Sequence, residues 1–153
     1  VARPDSGGID RAVIGLLQND AQLAALLPEG VWFNRAAPGL TRFVLVGFQS
    51  GEDEAVYGQL RASESRLYSV QGIGLSTAVD VATMKAAAYR IDVLLASDAP
   101  LTPPDDYDAI DAVREEPIAE TPEDELDKTL AWHHYGGFYR VTAYWPDLVT
   151  LEE

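Results

Sequence analysis

Residues 66–95, RLYSVQGIGLSTAVDVATMKAAAYRIDVLL, decide the fold, because their hydrophobic period changes within the segment. From Arg66 to Ile73 the side chains alternate, Tyr68 and Val70 on one face and Ser69 and Gln71 on the other, which is the two-residue period of a strand. Further on, Val81, Met84, Ala88, Ile91 and Leu95 recur at intervals of three and four, while Asp80, Thr83, Lys85 and Arg90 lie largely off that stripe. This is the buried face of an amphipathic helix. Ser76 or Thr77 is expected to cap it, with Asp80 completing a capping box from Thr77. Alanines at 82, 86, 87 and 88 keep the helix slim enough to lie close across a sheet.

Toward the N-terminus, Phe43 to Phe48 (FVLVGF) is a nearly continuous apolar run, expected to be a central strand covered on both faces. Between it and Arg66, residues 50–65 are polar and without period, and read as a long loop joining two central strands into a hairpin. Connections beyond about 12 residues usually serve a function, so Glu52, Asp53, Glu54 and Tyr57 are candidate assembly-interface residues. Farther upstream, Ile9, Val13, Leu16 and Leu17 mark one face of a first helix. Asp20 is a good N-cap for a short second helix with Leu23, Ala24 and Leu27 on one face, stopped by Pro28 and Gly30. Val31 to Asn34 reads as a short strand and Pro38-Gly39 as a turn.

Downstream, Pro100, Pro103 and Pro104 exclude regular structure around residues 97–106. Ala112 to Ala119 reads as a strand that Pro117 places at a sheet edge. Leu130 to His133 and Gly137 to Trp145 read as closing strands, the latter with Tyr139, Val141 and Ala143 facing one way. The order predicts an α+β fold over residues 1–153, a single domain with one mixed β-sheet and helices packed against it.

The 153 residues hold 25 acids and 11 bases, a formal charge of −14. Such a chain gains no affinity for nucleic acid or anionic membrane by charge neutralisation, and no apolar run approaches a membrane span. With no cysteine, disulfides and thiolate zinc sites are excluded. The segment Val1-Ala2-Arg3-Pro4 has no signal-peptide apolar stretch. Charge is uneven: residues 1–97 carry 10 acids and 8 bases, residues 98–153 carry 15 and 3. Asp105, Asp106, Asp108, Glu115 and Glu116 make this stretch a candidate acidic surface, to be weighed against a plain solvated loop.

Motifs for chemistry are sparse. His133 and His134 are the only histidines, and neighbours on a strand point to opposite faces, so they do not share a metal. One of them as a general base is the weaker alternative to ordinary strand histidines. Gly72-Ile73-Gly74 lacks the third glycine of a dinucleotide fingerprint and the lysine of a P-loop, and reads as a turn from strand to helix. Trp32, Trp132 and Trp145 are candidates for core or for interface anchors. No catalytic, cofactor or metal site is expected.

The order of elements carries a resemblance. Two N-terminal helices, VWFN at 31–34, FVLVGF at 43–48, RLYSVQGIG at 66–74, STAVDVATMKAAAYRIDVLL at 76–95 and HHYGGFYRVTAYW at 133–145 together resemble the tail terminator, or tail completion, proteins of long-tailed bacteriophages. The resemblance leaves out residues 50–65 and 98–131. It implies a virion protein, assembled in the host cytoplasm, that forms a homohexameric ring on the head-proximal end of the tail tube. Its implied partners are the major tail-tube protein, the head connector or stopper, and double-stranded DNA passing through without specific binding. No cofactor is implied. The alternatives are a head-completion or neck protein of the same virion, an acidic inhibitor that mimics DNA, and an enzyme with a histidine base.

Overall fold

The computed structural model describes residues 7–54, 63–96, 101–104 and 107–145. Helices α1 (Gly7–Gln18) and α2 (Ala21–Leu26) precede strands β1 (Val31–Phe33), β2 (Arg42–Glu54) and β3 (Ser63–Leu75). Helix α3 (Val81–Ala96) then leads to β4 (Ala109–Glu120) and β5 (Trp132–Tyr144). The five strands form one mixed sheet in the order β1-β2-β3-β5-β4, with β1 parallel to β2 and every other pair antiparallel. This is the expected α+β arrangement, and Pro117 does lie on an edge strand.

Register explains where the core sits. Val44, Val46, Tyr68, Val70, Tyr139, Val141, Ala143 and Ile110 share one face of the sheet, and Ile9, Val13, Leu17, Leu23, Leu27, Met84, Ala87, Ile91 and Leu95 cover it from the helices. Each such side chain fully withdrawn from water contributes about 1.5–3 kcal/mol. The sheet's other face carries no helix, so the expected cover on both faces holds there only in part: Phe43 is buried beside Ile73, while Leu45 and Gly47 are half-buried. The apolar run at 43–48 reflects a strand between two neighbours more than a strand between two layers.

Four further expectations are corrected. Within the stretch 50–65 every described residue is strand: β2 runs on to Glu54 and β3 starts at Ser63, past a bulge between Phe48 and Ser50. The closing strand is one continuous element through Gly136-Gly137. Helix α3 starts at Val81, and the Asp80 carboxylate itself caps it by accepting the Thr83 amide at 2.8 Å. The buried face therefore passes through Ala87 in place of Ala88, with Val81 exposed. Finally, Gly72 and Gly74 are not turn residues. They lie inside β3 on the core face, where a Cβ on Gly72 would stand 2.7 Å from Leu27 Cδ1 and one on Gly74 would collide with Val79 and Met84. Their missing side chains let α2 and the start of α3 settle directly on the strand.

Candidate assembly surface

A polar cluster fastens the β2–β3 hairpin to α1. Arg66 and Glu64 alternate with Tyr68 on the core face of β3. The Arg66 guanidinium pairs with Asp10 of α1 at 3.1 Å and with Glu64 at 3.3 Å, donates to Tyr68 Oη at 2.9 Å, and lies 4.1 Å over the Phe48 ring. Tyr68 Oη donates in turn to Asp10, and Tyr107 Oη donates to Glu64 Oε2 at 3.1 Å. Glu64 is 4% exposed, and Arg66 and Tyr107 supply hydrogen-bond partners for its buried oxygens. Burial, with the Asp10 carboxylate alongside, pushes the Tyr68 hydroxyl far above the usual tyrosine range, keeping it a donor. Sequence reading missed this cluster; the same-face spacing of Glu64, Arg66 and Tyr68 was its one visible signal.

Glu52 is an exposed residue of the hairpin, and Glu52, Asp53 and Glu54 all belong to strand β2, not to a loop. Tyr57 lies outside the described residues. Beside the hairpin, β1 ends at Asn34, whose φ of 60° turns the chain away. Asn34 still caps β2: its amide donates to Val46 O at 2.7 Å and its Oδ1 accepts the Phe48 amide at 2.8 Å.

The acidic stretch divides in two. Asp108, Asp111, Glu115 and Glu116 are exposed on or beside edge strand β4, Glu115 paired with Arg140 of β5, whereas Asp105 and Asp106 lie outside the described residues. A bulge between Arg114 and Glu116, the acids and Pro117 together discourage pairing along this edge. In the turn before β5 the acids shape backbone instead. Asp124 accepts the amides of Leu126 and Asp127 and the Trp132 indole at 2.8 Å, and Asp127 accepts from Thr129. These bonds hold both carboxyls below the usual range, the Trp132 bond contributing most at Asp124 and the Thr129 hydroxyl most at Asp127.

The histidines do face opposite ways. His133 is buried with Nδ1 3.0 Å from Thr121 Oγ1, while His134 sits half-buried on the helix-free face, its basicity lowered chiefly by burial. Trp32 donates to Glu29 O at 2.9 Å, and Trp145 packs against the core. Among the described residues no three His, Asp or Glu converge as a metal site. An open groove of about 450 Å³ between α1 and α3, lined by Arg11, Leu16, Asn19 and Leu94 among others, brings together no acid–base or nucleophile pair.

The elements thus define an α+β domain with helices on one face of a mixed sheet and no helix on the opposite face. No family model matches the chain, and no curated protein does. A chain in the solved structure described as "Virion of native gene transfer agent (GTA) particle" has the same fold: TM-score 0.59, 20% identity, 93% of this chain and 99% of that chain covered. At that identity the likeness establishes the fold.

Proposed function

We propose that this chain is a structural virion protein of a phage-like particle. In this reading it caps the head-proximal end of the tail tube as a ring, stops tube growth, and offers the surface to which the head connector attaches. One observation carries the reading: the fold is shared over nearly the full length of both chains with a component of a gene transfer agent virion. The element order that resembles tail terminators supports the finer assignment.

The surfaces suit such a role. A ring closes when each subunit carries two different complementary patches. Here the β1/β2 side and the β4 side of the sheet differ in shape and protection. Acids exposed on β4 would repel the phosphates of passing DNA and leave it free to slide, since no Lys or Arg row grips it there.

Mass photometry and negative-stain microscopy of the purified protein, alone and with tail tubes, test this reading. Rings, or monomers that become rings on tube ends, are expected. Rings found only between connector and terminator would reassign the chain to the neck, and a monomer that binds only a basic soluble enzyme would favour a DNA mimic.

A further inference from the structure

We propose that the outward edge of β2 at Gly51 and Asp53 accepts an extended, lysine- or arginine-bearing segment of another protein as an added β-strand. The inference rests on the assembly role proposed for the hairpin and names the kind of partner it takes.

Register gives the direction of each backbone group. On the β1 side, β2 uses Arg42 O, the Val44 amide, Val46 O and the Phe48 amide, so even-numbered residues face outward there. The bulge between Phe48 and Ser50 shifts this phase by one. Ser50 and Glu52 then pair inward with Leu67 and Ser65, leaving the amides and carbonyls of Gly51 and Asp53 pointing away from β3. Among the described residues no strand pairs with β2 on its β1 side beyond Phe48, because the chain turns away at Asn34. A row of unpaired donors and acceptors on a firmly anchored hairpin is a template for strand addition.

Gly51 adds a second, independent indication. A Cβ there would meet Phe48 Cζ at 3.5 Å and Ser65 O at 3.6 Å, ordinary contacts, and its φ lies outside the left-handed region. Neither space nor backbone conformation within the chain calls for glycine at this position. A strand glycine of this kind suits the close approach of another backbone.

Charge selects the partner. Glu52, Asp53 and Glu54 are consecutive acids in the sequence of this part of β2, and Arg140 of β5 offsets only part of the Glu52 charge, so a basic strand is attracted. A second copy offering its own free edge would bring Asp111, Glu115, Glu116 and Glu120 of β4 against them, together with the bulge and Pro117. The like charge and the broken ladder disfavour that pairing.

The test uses the full chain and a soluble eight-residue peptide of alternating Lys and Thr. Amide exchange is followed residue by residue at low salt. The expected result is exchange at Gly51 and Asp53 slowed by about tenfold or more, lost in high salt, and absent with a Glu-Thr peptide or a Lys-Thr peptide N-methylated at alternate amides. Gly51→Pro removes an outward amide without touching the β2–β3 ladder and should abolish the protection. Charge reversal with E52K, D53K and E54K should transfer it to the Glu-Thr peptide. No protection at Gly51 and Asp53, protection by the N-methylated peptide, or protection that rises with protein concentration without peptide would each overturn the proposal. The readout is taken on the isolated protein, so this inference fails separately from the ring assignment.

Discussion

Tyr68 and Tyr139 stand directly opposite each other on β3 and β5, both fully buried, and each anchors a different helix through its hydroxyl. Tyr68 donates to Asp10 of α1, and Tyr139 donates to Asp92 of α3 at 3.0 Å. One cross-strand pair therefore fixes two helices on the sheet. Removing the Tyr68 hydroxyl leaves Asp10 without one partner in a partly buried cluster. Tyr68→Phe should cost about 1.5–3 kcal/mol, the range for hydrogen bonds to charged groups, and Tyr139→Phe less, because Asp92 is more exposed and near Arg114. Urea unfolding of the two variants gives the comparison, and equal losses would contradict it.

Gly74 makes room for Val79. Gly74→Ala should destabilise by about 1–3 kcal/mol through overpacking, since the new methyl collides with the Val79 side chain. Adding Val79→Ala to that variant should recover part of the loss in thermal melts, whereas Val79→Ala alone should destabilise. Additive losses would show that the two positions are not in contact.

Asp20 caps α2 by accepting the Leu23 amide at 2.9 Å and binds Arg90 of α3 at 2.6 Å. The Arg90 hydrogen bond is the largest cause holding its carboxyl below the usual range, against a smaller opposing effect of burial. A carboxyl with a lowered folded-state pKa contributes stability that is present above its unfolded value near 3.8 and lost as pH falls through the folded value. Asp20→Asn should therefore reduce the acid sensitivity of unfolding in this range. At neutral pH it should be less stable by up to about 1 kcal/mol, from the lost ion pair with Arg90, since Asn caps a helix as well as Asp. Parallel pH profiles for both proteins would refute the linkage.

His134 gives a pH dependence of the same sign from a different cause. Burial is the main cause lowering its pKa from 6.5, with His133 adding to the shift and Glu120 opposing it. The unfolded chain then binds more protons than the folded one between the folded value and 6.5, so stability rises with pH through that window. NMR titration should show His134 remaining neutral below pH 6.5, and His134→Gln should flatten the stability profile there. A midpoint above 6.5 would reverse the sign.

Much of this fold was legible in residues 66–95, because an alternating strand and a helix stripe at 3,4 spacing bury apolar side chains with distinct periods. The hairpin beyond Phe48 was not legible. Gly51 to Glu54 and Ser63 to Ser65 have weak strand preference, and pairing with β5 in register holds β3 there instead. Arg66 pairs with Asp10, 56 residues away in the chain, and Glu64 meets Arg66 and Tyr107, relations that no local pattern encodes. The same reason hid the strand character of Glu52, Asp53 and Glu54. Asp108, Glu115 and Glu116 were readable as surface acids because nothing apolar alternates with them strongly enough to bury them.

The central claim is that this chain ends a tail tube by forming a ring on it. Cryo-electron microscopy of tube protein polymerised with and without the purified chain tests that claim most directly. Closed rings at one end of tubes whose growth has stopped are expected. Tubes that grow equally long in its presence and carry no ring at either end would contradict it.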